Sequence, residues 1–61
     1  MKKLRHILID RDVQQKELAA YAGCSEAYLS ECMHGRKDPS LRVLRKIAEF
    51  LGLTIDDLLD S

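Results

Sequence analysis

Several features of larger or secreted proteins are scarce in this sequence. It has no tryptophan, one proline, two cysteines and three glycines, and no apolar run approaches the roughly 20 residues that a helix needs to cross a bilayer. The basic N-terminus is not followed by a long apolar stretch with a small-residue cleavage site, which argues against a signal peptide. A length of 61 residues allows one small domain and excludes a two-domain enzyme. We therefore expect a single cytoplasmic domain over residues 1–61, with no membrane association.

The two cysteines are predicted to be free thiols. Cys24 and Cys32 are separated by about 12 Å if the residues between them are helical, whereas disulfide-bonded Cα atoms lie within about 7 Å of each other. Together with His6 and His34, they match no recurring spacing for metal ligands. No nucleophile with its base and no glycine-rich phosphate loop is recognisable. We expect no metal, no cofactor and no enzyme activity.

Net charge is zero, but the charges are segregated along the chain. Residues 1–16 carry five basic and two acidic side chains, and residues 17–31 carry three acidic ones. Residues 32–46 carry five basic and one acidic, and the remainder carries four acidic side chains. Two basic segments separated by an acidic one predict either a basic patch on one side of the fold or a solvated surface of mixed sign.

Apolar residues recur with helical spacing almost throughout, and no strand pattern or internal repeat is present. Helix ends are marked by Gly23, Gly35 and Gly52, and helix starts by Ser25, Ser40 and Thr54. The predicted helices span about residues 2–10, 14–21, 26–34, 41–51 and 55–59. In the fourth helix, the predicted inward stripe consists of Leu41, Leu44, Ile47, Ala48 and Leu51. The sequence predicts an all-α fold of five short helices.

The second and third predicted helices are joined by the three-residue turn Gly23-Cys24-Ser25. Two helices joined by a short turn with glycine have the layout of a helix-turn-helix, whose second helix enters the major groove of DNA. About 100° per residue places three apolar residues of the third helix on a core face: Leu29, Cys32 and Met33. Small and polar residues face outward: Ala27, Ser30, Glu31 and His34, flanked by Glu26 and Tyr28. This pattern fits a groove-reading face or an ordinary solvent-exposed one.

The sequence resembles the Cro/repressor-type (XRE) helix-turn-helix family over nearly its whole length. The matching elements are Gln15, Leu18-Ala19, Gly23-Cys24-Ser25, Leu29-Ser30, Gly35, Pro39-Ser40-Leu41, Ile47-Ala48, Leu51-Gly52 and the closing Asp56-Asp57-Leu58-Leu59. The resemblance implies a lambda-repressor-like domain and a sequence-specific, repressor-like transcriptional regulator. It would bind double-stranded operator DNA as a homodimer, with helix 26–34 in the major groove. The alternative is an antitoxin-like or assembly module that keeps the fold, binds a protein partner and does not bind an operator.

The resemblance also assigns roles to individual residues. Base contacts are expected from Glu26, Ala27, Tyr28 and Glu31. Phosphate contacts are expected from Gln15, Lys16, Ser25, Ser30, His34, Arg36 and Lys37. Glutamate can accept a hydrogen bond from cytosine N4, whereas flexible loop cations supply affinity without sequence preference.

Two further expectations concern apolar residues: one is a pair in the core, and the other is a patch on the surface. Family members often pair an arginine of helix one with a glutamate at the end of helix three, and the matching positions here are Leu8 and Met33. Exchanging both partners of a buried ion pair for apolar residues costs little, so we expect these two residues to face each other. The dimer interface is expected at an exposed apolar patch consisting of Val43, Phe50, Leu53, Ile55 and Leu59. The other interpretation is that Phe50 closes a small core.

Overall fold

A computed structural model describes residues 2–59, with side chains from residue 3 onwards. Within this range the chain forms five helices and no strand: α1 (Lys2–Asp10), α2 (Gln15–Ala22), α3 (Glu26–Met33), α4 (Leu41–Leu51) and α5 (Ile55–Leu59). The predicted all-α fold is confirmed, and the helix bounds agree with the prediction to within one residue. None of the helices in residues 2–59 has the length and apolarity needed to cross a membrane.

Every helix contributes a fully buried aliphatic side chain to one core. These residues, each 0% exposed, are Leu4, Leu18, Leu29, Ile47 and Leu58. Helix α2 packs against α3 and α4, α1 packs against α3 and α5, and α5 also contacts α4. No polar or charged residue is buried within the part of the chain that the structure describes. The core is therefore held by apolar burial, which contributes about 25 cal/mol per Å² of apolar surface.

The inward stripe of α4 differs from the predicted one at two positions. Val43 is 5% exposed and belongs to the core, whereas Leu41 is 55% exposed. Val43 lies only about 40° around the helix from Ile47, so it faces the same neighbours. Leu41 is the first residue of α4 and has helical neighbours on one side only. The expectation that Val43 lies on an exposed dimer patch was therefore wrong.

Leu8 and Met33 are both buried, at 4% and 7% exposure, and belong to the same core cluster. They also line one groove, which lies between α1, the α1–α2 turn and α3. Two apolar residues thus occupy the positions where the resemblance would place an internal ion pair.

Side-chain caps begin the last three helices, as the sequence predicted. The Ser25 hydroxyl accepts a hydrogen bond from the Tyr28 backbone N–H at 3.0 Å, and the Ser40 hydroxyl accepts one from Val43 at 3.3 Å. Thr54 and Asp57 form a reciprocal pair, in which each side chain accepts from the other's backbone N–H at 3.1 Å. The backbone N–H of Thr54 holds the pKa of the Asp57 carboxyl below its usual value.

The first four helices end in one and the same backbone motif. At each end, one residue has a left-handed conformation: Asp12 (φ 54°), Gly23 (φ 75°), Gly35 (φ 77°) or Gly52 (φ 68°). Its N–H and the next N–H both turn back to carbonyls of the preceding helical turn, in the two-bond pattern of a Schellman motif. This motif brings the side chain after the left-handed residue close to the one five positions before it. For α1, α2 and α4 these pairs are apolar or small: Leu8/Val13, Ala19/Cys24 and Ala48/Leu53.

Candidate nucleic-acid interface

Helices α2 and α3 form a helix-turn-helix whose two N-terminal ends are tied together. The side-chain amide of Gln15, at the start of α2, donates to the backbone carbonyl of Glu26, at the start of α3, at 3.1 Å. Gly23 has the left-handed conformation that ends α2, and its N–H donates to the carbonyls of Ala19 and Ala20. The positive ends of both helix dipoles therefore lie near one another, which favours an anion there.

Helix α3 has the predicted division into a core face and an outer face. Leu29, Cys32 and Met33 are at most 7% exposed. We call the opposite side, with the loop that follows it, the outer face; its residues are Glu26, Ala27, Ser30, Glu31, His34 and Arg36. Glu26, Ala27, His34 and Arg36 are exposed, and Ser30 and Glu31 are half-buried. The side available to a ligand is thus small and polar, as a helix entering a groove requires.

Gln15, Lys16 and Ser25 lie where the starts of α2 and α3 meet. Gln15 is half-buried, and one of the two N–H groups of its Nε2 donates to Glu26, so the other remains available to donate. Lys16 and Ser25 are exposed. The Ser25 oxygen accepts the capping bond, so its hydroxyl hydrogen remains available to donate. These three residues present donors at the positive end of both helices.

Tyr28 connects α3 to the loop that precedes α4. Its hydroxyl oxygen accepts a hydrogen bond from the Ser40 backbone N–H at 3.1 Å. The Lys37 ammonium lies 5.8 Å from the centre of the Tyr28 ring, within range of a cation–π interaction. Tyr28 is half-buried, so the structure gives it a role in holding the loop. Its expected contact with a base stays a prediction.

Arg36 contacts Glu31 through both its backbone and its side chain. Its backbone N–H donates to the Glu31 carbonyl oxygen at 2.9 Å, and its Nη1 lies 3.6 Å from the Glu31 carboxylate. The two side chains are 71% and 37% exposed. Arg36 thus lies next to Glu31 on the outer face. Its expected contact with a phosphate stays a prediction.

His34 ends α3 and bonds back into the helix. Its Nδ1 lies 2.8 Å from the Ser30 carbonyl oxygen, which can only accept, so Nδ1 carries the proton in this arrangement. The Ser30 hydroxyl lies 3.5 Å from the same nitrogen. Nε2 of the exposed His34 ring is directed away from this bond, and in the neutral ring it then carries no proton and can only accept. The expected contact of His34 with a phosphate stays a prediction.

The expected dimer residues fall into three kinds. Val43 is buried in the core. Phe50, Leu53 and Ile55 are half-buried and pack against the core from outside, and Phe50 lies 5.0 Å from the Tyr21 ring, centre to centre. Leu59 is 52% exposed. Phe50 therefore packs against the core and keeps some exposed surface, and its part in a dimer interface stays a prediction.

Neither cysteine is placed for chemistry. Both are free thiols, Cys24 half-buried and Cys32 buried. Burial raises the pKa of both thiols, which disfavours the reactive thiolate at neutral pH. No group of three potential metal-ligating side chains lies together among the residues that were placed.

Sequence reasoning missed three contacts of this surface: the Glu31–Arg36 pair, the Tyr28–Ser40 bond and the Gln15–Glu26 bond. A signal for the first was present, because a glycine ending a helix predicts a Schellman turn, and that turn joins the residues on which Glu31 and Arg36 stand. The second joins parts of the chain 12 residues apart and leaves no local pattern. The position of Arg42 was also not predicted. Its guanidinium lies near the turn between α2 and α3, 3.9 Å from the point that a Cβ on Gly23 would occupy.

Comparison with known proteins agrees with this geometry. Residues 3–61 match the family described as Cro/C1-type HTH DNA-binding domain. The chain belongs to that family of DNA-binding domains.

Two similar proteins carry the name of transcriptional regulator. The chain is 37% identical over 59 residues to the HTH-type transcriptional regulator DdrOP3 of Deinococcus deserti, covering 97% of this chain and 46% of that protein. It is 34% identical over 56 residues to the uncharacterized HTH-type transcriptional regulator MJ0272 of Methanocaldococcus jannaschii, covering 92% of this chain and 85% of that one. The chain thus spans about half the length of the first relative and most of the second.

Proposed function

We propose that this chain is a sequence-specific, repressor-like transcriptional regulator that binds operator DNA as a homodimer, with α3 in the major groove. The observation that supports this most is the outer face of α3, which is small and polar and begins where two helix N-termini meet. Both relatives carry the name of transcriptional regulator. The proposal goes beyond the family by naming the regulatory role and the dimer.

The proposed contacts divide into two kinds. Gln15, Lys16 and Ser25 would hold a phosphate at the start of the two helices, and Lys37 would hold one on the loop side. Such contacts release counterions and carry no sequence information. Ala27 and Glu31 would face base edges, which carry it. The Glu26 carboxylate interacts favourably with the positive N-terminal end of α3, but it would also repel a phosphate placed close to it.

Selection of bound sequences from a random DNA pool tests the proposal directly. We expect a duplex with two related half-sites, because a dimer presents two copies of α3. Binding should weaken steeply with salt, and Lys37→Ala should weaken binding to all sequences about equally and reduce the salt slope by about 1. Arg45→Ala removes an exposed arginine of α4 and serves as the matched control. It should leave both the affinity and the salt slope unchanged.

The proposed dimer is tested by changing an exposed apolar residue of α5. Leu59 is 52% exposed and can be changed to glutamate without opening the core. Leu59→Glu should yield a folded monomer in sedimentation, with weakened operator binding. Ile9→Glu, at an apolar residue of α1 that is 69% exposed, should still dimerise. Phe50→Glu should act like Leu59→Glu, with some added loss of stability because Phe50 contacts Tyr21.

Two outcomes would contradict the proposal. A wild-type chain that stays monomeric at high concentration would remove the dimer. A chain that enriches no sequence and is not retained on heparin would leave the interaction-module alternative as the better account.

A further inference from the structure

We propose that Glu31 and Arg36 act as one unit that reads a G·C base pair, with Arg36 contacting guanine and Glu31 accepting from cytosine. The inference rests on the proposed function, since it needs the outer face of α3 in the major groove. It changes the role of Arg36 from a phosphate contact to a specificity-determining residue. Glu31 both positions Arg36 and faces the base pair.

The backbone places the two side chains together. Gly35 turns the chain back at the end of α3, so that the Arg36 N–H donates to the Glu31 carbonyl at 2.9 Å. The corresponding positions at the ends of α1, α2 and α4 carry apolar or small residues, which such turns usually bring into contact. Only at α3, within the described chain, is the pair charged, with the guanidinium 3.6 Å from the carboxylate.

The contact leaves most of the binding groups of both side chains free. A guanidinium has five N–H donors in a planar fork, and the 3.6 Å contact to Glu31 is made by Nη1. The Arg36 side chain is 71% exposed, so the remaining donors face solvent. The Glu31 carboxylate is 37% exposed and keeps acceptor sites of its own.

The free groups match one base pair. In the major groove, a G·C pair presents two acceptors on guanine, N7 and O6, followed by one donor on cytosine, N4. The Arg36–Glu31 pair presents two donors followed by an acceptor. A neutral pair also meets the phosphates with less repulsion than an isolated carboxylate would. The same pair fits A·T less well, because adenine places a donor where guanine places O6.

The test separates a base contact from a phosphate contact by changing geometry while keeping charge. Arg36→Lys retains the positive charge but loses the planar fork. We expect its salt dependence to match that of the wild type, while its preference for G·C at one position of the selected half-site falls by about 5- to 150-fold. Arg45→Lys is the matched control on α4 and should keep every preference. Circular dichroism should show both variants to be folded.

Glu31→Gln tests the second half of the unit. It should reduce the preference at the same base pair, and the double variant with Arg36→Lys should lose little more there than Arg36→Lys alone, because the two side chains act together. Independent losses at two different base pairs would contradict a shared role.

The results also distinguish this inference from the proposed function. If the wild type selects no DNA sequence, both fail. If the wild type binds a specific operator and Arg36→Lys keeps all its base preferences, or if the half-site contains no required G·C pair, the inference alone is overturned.

Discussion

The ends of α3 and α4 have the same backbone bonds and opposite surroundings. At the end of α4, Leu53 and Ala48 bring apolar surface together against the core. At the end of α3, Arg36 and Glu31 bring opposite charges together in solvent. Since the backbone needs only the left-handed glycine, the choice of side chains is free for another purpose. At α4 that purpose is burial, and at α3 we infer that it is recognition.

The largest expected loss of stability comes from placing a charge in the apolar core near the end of α3. Met33 is 7% exposed, and Met33→Glu should lower the free energy of unfolding by about 3–5 kcal/mol, as a buried carboxylate without a partner does. Adding Leu8→Arg should restore much of that loss in thermal or urea melts. Asp10→Arg, at an exposed residue of α1 that does not line the groove of Leu8 and Met33, should restore none. Simple additivity of Met33→Glu and Leu8→Arg would show that the two residues do not face each other.

A smaller change in stability is expected from replacing the left-handed residues at which the helices end. Gly52 has open space around its Cα, so Gly52→Ala adds no clash and tests backbone strain alone. We expect it to destabilise by about 1–2 kcal/mol, the penalty of a left-handed L-residue. Asp12 already bears part of that penalty at φ 54°, so Asp12→Gly should keep or raise the melting temperature. A clear loss with Asp12→Gly would mean that its side chain stabilises the turn.

The side chains that follow the left-handed glycines at the ends of α3 and α4 should contribute unequally to stability. Leu53→Ala removes apolar contact at a half-buried site and should cost about 1 kcal/mol. Arg36→Ala breaks an exposed ion pair and should cost less than about 0.5 kcal/mol. Urea unfolding of both variants measures the difference. Equal losses would mean that the charged pair serves the fold as much as the apolar one does.

The smallest expected effect concerns a helix start. Because the pKa of Asp57 is lowered in the folded chain, its contribution to stability is full above the unfolded value near 3.8 and is lost as pH falls through the folded value. Asp57→Asn should therefore flatten the acid side of the stability profile, measured as melting temperature against pH. Asp56→Asn alters the neighbouring carboxylate of α5 and should change that profile less.

Most of the fold was predictable because its signals are local. Helical periodicity, the capping residues Ser25 and Ser40, and the glycines that end helices all act within a few residues. Val43 lies about 40° from Ile47 and about 20° from Phe50 around α4, so periodicity fits either side of the helix. The packing of the neighbouring helices decides that it is buried. The outer face of α3 was predictable from its angular pattern. The tie from Gln15 to Glu26 and the bond from Tyr28 to Ser40 were not, because they join segments that meet only in the folded chain.

We propose above all that DNA is bound by the outer face of α3 and the adjoining starts of α2 and α3. This can be measured by titrating the isotope-labelled chain with its selected duplex and following the amide chemical shifts. We expect the largest changes at Gln15, Ala27, Glu31 and Arg36. A non-specific duplex should shift Gln15 but have much less effect on Glu31 and Arg36. Changes confined to α4 and α5, with the amides of α3 unmoved at saturating DNA, would contradict it.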